Sequence, residues 1–283
     1  MTAHIRDLGR CPVHIEGHGP AVVLLHSTMG SKRQWRHLVE QLRGRFRTIA
    51  VDLLGYGDAP MPLAATFSLA DETTHVERVL AGVLSPHERF HLVGHSYGGG
   101  VALRLAHDRP SRLHSLTLFE PTAFHLLPDA DALAELRAVA AVVTGAAEGD
   151  RLAATACFID FWSGAGTFAA LAPSRQQALA RLLPKAALDF QALFGAPQTL
   201  SDIAGLDQVL PTLLLGGQRS PGCTQALLLA LAGALPDARV CWVPSGHMAP
   251  VSDPALVDPL IEAFIAEADA ARRSLRDAAA QAA

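Results

Sequence analysis

The sequence predicts an α/β fold: a mostly parallel sheet covered by helices on both faces, with an antiparallel edge and a helical insertion. Three observations carry that expectation. Short apolar runs alternate with helical periodicity over the first 120 residues, an Ala- and Leu-rich helical stretch replaces the alternation from about 122 to 205, and the sheet pattern then resumes. The 283 residues contain no Gly/Ser- or Pro-rich linker, so one interrupted core is expected rather than two independent domains. Residues 1–121 and 206–283 would build that core, and 122–205 the insertion.

In chain order, "AHIRDL" and "CPVHIEGHG" read as a hairpin that ends at Gly17 and Gly19 and supplies the antiparallel edge. "AVVLLH" (21–26), "RTIAV" (47–51), "FHLVG" (90–94) and "LHSLTLF" (113–119) are apolar enough to be strands buried on both faces. Between them, Trp35, Leu38, Val39 and Leu42, and then Leu69, Val76, Val79, Leu80 and Val83, fall at helical spacing and mark crossover helices. Gly164, Gly166, Pro173, Pro184 and Pro197 break the insertion into several helices. "LPTLLLGG" (210–217) and "ARVCWVP" (238–244) are the last strands, with a helix at 222–235 between them and a final helix from about 254. The tail "EADAARRSLRDAAAQAA" prolongs that helix.

Composition narrows the function classes. Half the residues are apolar, 18% are charged and the net charge is -4, which suits a well-buried globular core. The 23 Lys and Arg are scattered and outnumbered by 27 acids, so no basic face for nucleic acid is expected. The start lacks an apolar leader, and "ALLLALAGAL" (226–235) is about half a bilayer span; no membrane association and a cytoplasmic location are the expectations. Cys11, Cys157, Cys223 and Cys241 stand far apart, and the 13 histidines form no H-x-x-x-H pair, so no metal site is expected. Most of the histidines are expected at the surface. A monomer or homodimer is expected.

The chemistry centres on "LVGHSYGGG" (92–100), which fits G-x-S-x-G with Gly94, Ser96 and Gly98. A strand runs into Ser96 and a helix leaves it, so the hydroxyl would stand on a sharp turn as a nucleophile; the plainer reading is a turn that favours Gly and Ser. A serine hydroxyl needs a base to take its proton during attack. His247, in "VPSGHMAPVSDP" beyond the last strand, is the candidate, against the alternative of a surface-loop histidine. Backbone N–H groups must hold the oxyanion. Tyr97, directly after the nucleophile, supplies one, and Thr28 in "LLHSTMGSKRQW" (24–35) is favoured for the other. His95 is not counted as catalytic.

"LLHSTMGSKRQW", "VDLLGYGDAP", "GHSYGG", "PTLLLGGQRSP" and "SGHMAPVSDP" together resemble, in order and over almost the whole chain, the landmarks of the α/β-hydrolase superfamily. The resemblance implies an eight-stranded, mostly parallel sheet, a helical cap inserted after the sixth strand, and catalysis without a cofactor. There are two departures. The first landmark, usually His-Gly, is here His26-Ser27, and where many members carry an Asp after the seventh strand this chain has Ser220. Some members instead place the acid at the end of the sixth strand, and Glu120 in "LFEPTAF" occupies that position. A carboxylate in so apolar a setting costs on the order of several kcal/mol unless compensated. An Nδ1–H from His247 would compensate it and stabilise the imidazolium. The alternatives are that Glu120 merely caps the entry to the insertion or pairs with an arginine; as the acid, it would be contacted by Arg219 or Ser220 rather than replaced by them. Asp52 is expected to order the loop after the fourth strand.

Phe124, Phe158, Phe161 and Trp162 from the insertion, with His26, are the expected pocket residues. Such a lining suits a small to medium apolar acyl group, and a small-molecule carboxylic ester is the leading substrate. Carbon-carbon bond hydrolysis, thioester or lactone hydrolysis, and a non-catalytic ligand receptor share the fold and remain alternatives. A Ser rather than an Asp nucleophile argues against dehalogenase or epoxide hydrolase chemistry.

Overall fold

The runs Ala21–Leu25 (β2), Arg47–Val51 (β3), Phe90–His95 (β4), Leu113–Phe119 (β5) and Thr212–Gly217 (β6) are almost wholly buried, because helices cover both faces of the sheet they form. A computed structural model describes residues 11–62, 66–146, 150–206, 210–235 and 237–281. In it, Val13–Glu16 (β1) and Arg239–Val243 (β7) complete a seven-stranded sheet of order β1-β3-β2-β4-β5-β6-β7. β1 runs antiparallel to β3, and every other pairing is parallel. The first half of the expected hairpin, residues 3–8, lies outside the described residues.

Alternation along β2 shows how the two faces are filled. Val22 and Leu24 share a cluster with Trp35, with Leu38, Val39 and Leu42 of α1 (Arg36–Leu42), and with Val257, Ile261 and Ile265 of α11 (Pro254–Gln281). Val23 and Leu25 point the other way, into a cluster with Val76 and Leu80 of α2 (Leu69–Ala81) and Val101 and Leu105 of α3 (Tyr97–Asp108). α2 starts at a capping box in which Ser68 and Asp71 satisfy each other's backbone N–H groups.

Between β5 and β6 the chain forms a 3-10 turn at Phe124–Leu126 and then α4 (Ala130–Thr144), α5 (Arg151–Ser163), α6 (Pro173–Ala180), α7 (Leu183–Phe194) and α8 (Leu200–Ala204). Pro173 and Pro184 stand in the first turns of α6 and α7, where a missing N–H costs nothing, so these prolines start helices rather than only breaking them. Phe158, Trp162, Leu183, Phe190 and Leu193 join the same cluster as Val23 and Leu25. After β6 come α9 (Gly222–Ala234), β7, α10 (Ala249–Ser252) and α11. No helix among the described residues is long and apolar enough to cross a membrane.

The strand order reverses direction at β2, so the loops after β2 and β4 diverge and leave a crevice at the carboxyl ends of the strands. Thr28, Ser96, Glu120 and His247 all follow strand ends on that side.

Most of the histidines do not lie at the surface, contrary to the expectation from sequence. Of the twelve histidines among the described residues, only His14, His18, His37 and His87 are exposed, while His26, His75, His91, His95 and His247 are buried. Each buried ring has a hydrogen-bond partner, which lets a neutral imidazole replace its lost water.

Candidate active site

Ser96 sits between β4 and α3 with φ 55° and ψ -119°, a conformation that L-residues rarely adopt. The flanking glycines explain how the turn is tolerated. A Cβ on Gly98 would come within 2.5 Å of the carbonyl oxygens of both Leu25 and His26, and one on Gly94 within 2.5 Å of the Gly98 oxygen. Any side chain there would push β4 and α3 off β2. The helix that begins at Tyr97 also directs its positive end at the serine.

His247 lies in the loop between β7 and α10, and its Nε2 is 2.9 Å from the Ser96 Oγ. Its Nδ1 is 2.7 Å from Oε2 of Glu120. A carboxylate can only accept, so Nδ1 carries the proton and Nε2 is left to accept from the serine hydroxyl. Glu120, at the end of β5, is fully buried with φ 41°. Its second oxygen accepts the Gly217 N–H at 2.7 Å, which together with the imidazole compensates the buried charge. Arg219 donates instead to the Pro244 carbonyl, and the buried Ser220 Oγ has no partner among the described residues. Asp52 accepts the N–H groups of Lys32 and Asp58 and the Lys32 ammonium, and so orders the loop after β3.

Behind the serine, a second line of hydrogen bonds holds this arrangement. Ser27 N–H and Oγ–H both donate to Oε1 of Gln34, at 3.1 and 2.9 Å, and the Gln34 amide nitrogen is 3.1 Å from Nδ1 of His95. The amide donates, so His95 Nε2 carries the proton and gives it to the His247 carbonyl at 2.8 Å. Burial first, and then the neighbouring His247, hold His95 well below the ordinary histidine range. The Ser27 side chain thus points to Gln34 rather than into the oxyanion loop.

Thr28, Ser96, Thr122, Phe124, Phe158, Trp162, Ala186, Asp189, Phe190 and Leu193 enclose a cavity of about 10 Å³, room for about one water molecule. The hydrogen bonds among the described residues include none donated by the backbone N–H of Thr28 or of Tyr97. The Trp162 ring lies 4.5 Å from that of His247 and stacks 6.2 Å from Phe124. Trp162 also borders a wider cleft of about 650 Å³ that reaches Arg219, Ser245 and the outer side of His247.

Two expected pocket residues lie elsewhere. Phe161 borders the outer cleft, edge-on to Trp162 at 4.8 Å. His26 is fully buried, with Nε2 accepting the Leu53 N–H and Nδ1–H donating to the Ser27 carbonyl, and burial pulls it down to about 4; it pins the loop and does not line the cavity. Sequence reasoning missed Gln34, Thr122, Lys185 and Asp189. A Lys and an Asp four residues apart in the apolar run "LPKAALDFQALF" were the available signal, since both would share one face of a buried helix.

A sequence model of the alpha/beta hydrolase fold family matches residues 20–254. A Variovorax paradoxus protein, RutD, whose name provisionally makes it a carbamate hydrolase, is 43% identical over 112 residues, 38% of this chain and 41% of that one. The pimeloyl-[acyl-carrier protein] methyl ester esterase of Aeromonas hydrophila is 39% identical over 100 residues, covering 35% of this chain and 37% of the esterase. The matches therefore span about two fifths of the length of these curated relatives. The crystal structure of a hydrolase from Pseudomonas aeruginosa PA01 superimposes with a TM-score of 0.72 at 22% identity, covering 92% of this chain and 99% of that one, which shows a shared fold.

Proposed function

The chain belongs to the alpha/beta hydrolase fold family, and from that premise we propose that it is a hydrolase that cleaves small to medium apolar carboxylic esters through an acyl-enzyme on Ser96. The observation that carries this reading is the hydrogen-bonded line from Ser96 through His247 to Glu120, at 2.9 and 2.7 Å. His247 Nε2 takes the hydroxyl proton as Oγ attacks the ester carbonyl. The N–H groups of Thr28 and Tyr97 receive the oxyanion, and Glu120 stabilises the imidazolium through Nδ1–H. As the tetrahedral intermediate collapses, the imidazolium protonates the departing alkoxide. Water then attacks the acyl-enzyme with its proton passing to His247, and the acid leaves as Ser96 recovers its proton.

In this reading residues 122–205 form a cap over the core made by 1–121 and 206–283, and they supply the acyl pocket through Phe124, Phe158 and Trp162. The partner is a small-molecule ester. A monomer or homodimer in the cytoplasm satisfies the mechanism, with no role for nucleic acid or membrane. Thioesters, lactones and carbamates present the same carbonyl to the same groups, and the name of the Variovorax relative puts carbamates among the substrates to try.

The test is pre-steady-state hydrolysis of p-nitrophenyl esters from acetate to decanoate, together with fluorophosphonate labelling. An alcohol burst and a labelled Ser96, both lost in Ser96→Ala, are the expected results. Hydrolysis that survives Ser96→Ala would sink the mechanism.

A further inference from the structure

Lys185 of α7 is 1% exposed, yet its hydrogen bonds go to none of Ser96, His247 and Glu120. Its ammonium lies 3.3 Å from Oε2 of Glu72 on α2 and is hydrogen-bonded to Oδ1 of Asp189, one turn along its own helix. The rings of Tyr56, Phe67 and Tyr97 surround it, with centroids 4.8, 4.6 and 4.7 Å away. Both carboxylates are buried, Glu72 completely. Apolar side chains of similar volume would hold α7 against the core at least as well as three buried charges, so stability alone does not account for the cluster.

The remaining hydrogen bonds show what it holds. Asp189 Oδ2 accepts from the Thr28 hydroxyl at 2.8 Å and from the Tyr56 hydroxyl at 2.6 Å. Glu72 Oε2 accepts from the Tyr97 hydroxyl at 2.8 Å, while its Oε1 accepts the Leu54 N–H at 2.7 Å. Thr28 and Tyr97 are the two residues whose backbone N–H groups receive the oxyanion in the proposed mechanism. Each is tied through its side chain to one of two carboxylates that share a single lysine.

We propose that Lys185, with Glu72 and Asp189, is a positioning device that sets the spacing of the oxyanion donors Thr28 and Tyr97, and that α7 must be docked for the oxyanion hole to be formed. The proposal rests on the serine-hydrolase reading above. Burial already raises the Asp189 carboxyl above its usual range, with Lys185 pulling the other way. Losing the lysine would drive Asp189 toward its protonated form, which accepts fewer hydrogen bonds and would release Thr28. Because α7 also contributes Ala186, Phe190 and Leu193 to the cavity wall, one helix orders both the acyl pocket and the oxyanion site.

The deciding comparison is Thr28→Val, which keeps the backbone N–H and removes the tie to Asp189, against Thr28→Ser, which keeps the hydroxyl. With p-nitrophenyl acetate, Thr28→Val is expected to lower kcat about ten- to hundredfold with KM within about twofold, because a slightly misplaced donor weakens the transition state and not the ground state. A trifluoromethyl ketone, which forms an anionic adduct with the serine, should bind Thr28→Val weaker by a similar factor, and Thr28→Ser should restore both. Lys185→Met should move both readouts in the same direction; if it does not fold, Thr28→Val and Tyr97→Phe decide. Unchanged kcat and ketone affinity in Thr28→Val, with Ser96→Ala inactive, would overturn the positioning role alone. Activity retained by Ser96→Ala would remove the serine-hydrolase reading and the proposal with it.

Discussion

At the residue scale, Glu120 is placed where its chemistry can be tested without disturbing packing. Glu120→Gln keeps the volume and the acceptor for Gly217 N–H, but it can turn an NH2 toward His247 Nδ1 and force the proton onto Nε2. The imidazole would then face Ser96 with a donor and could not take its proton. We expect kcat for p-nitrophenyl acetate to fall by about two to four orders of magnitude with thermal stability little changed. Near-normal turnover would show that the acid is elsewhere. Asp258 on α11 is a second residue whose environment is out of step with its charge. It is 3% exposed, has no hydrogen bond or ion pair among the described residues, and burial raises it to about 7. Asp258→Asn should therefore stabilise the fold by on the order of 1–3 kcal/mol at pH 8 and by less than half as much at pH 5, because the penalty opens where the unfolded carboxyl ionises and is complete only above the native pKa of about 7. A melting series of the two proteins at both pH values reads the difference directly.

At the element scale, α5 decides how much room the serine has. Its Trp162 separates the roughly 10 Å³ cavity at Ser96 from the roughly 650 Å³ cleft outside, stacked on Phe124 and with its ring tilted against that of His247. Trp162→Ala should merge the two spaces and move the preferred acyl chain from acetate toward hexanoate or longer, seen as a crossing of the wild-type and mutant kcat/KM profiles over the p-nitrophenyl series. An unchanged profile would place the acyl pocket elsewhere. The same element illustrates where sequence patterns stop being informative. The motif around Ser96 is local, because Gly94 and Gly98 are required by atoms of β2 and α3 at 2.5 Å, and it was legible. The aromatic residues of α5 were legible only as a cluster; that Trp162 faces His247 while Phe161 faces the outer cleft depends on how α5 lies across the strand ends.

At the scale of the whole molecule, folding neutralises several histidines, and this sets a pH dependence of stability. Burial pulls His26 down to about 4 and His91 to about 3, and it holds His95 well below its ordinary range. In the unfolded chain these rings take up protons near pH 6.5. Below that value the unfolded state binds more protons than the native one, so stability present above pH 6.5 is lost as pH falls toward 4. Asp258 and Asp189 act in the opposite sense, because burial raises their native carboxyls above the unfolded value, and these two groups against the three rings and His125, which burial also lowers, leave a net loss. Melting temperature should decline from pH 7 to pH 5, by an amount on the order of a few kcal/mol in unfolding free energy. Asp258→Asn should make that decline steeper, and a flat profile would mean that the rings are hydrated in the native state.

The strand pattern, the crossover helices, the glycine-flanked serine and the chain order of Ser96, Glu120 and His247 could all be read from the sequence, because each depends on neighbours within a few residues or on a repeating period. The placement of Glu120 as a partner of His247 followed only from a resemblance, since nothing local in "LFEPTAF" says which imidazole, 127 residues away, will meet it. Most of all, the tertiary structure decided the roles of the charged and polar residues that periodicity treats as ordinary. His26, Gln34, Glu72, Lys185 and Asp189 are each compensated by groups from other elements, and whether a buried polar atom finds such a partner is settled only when the strands and helices have packed.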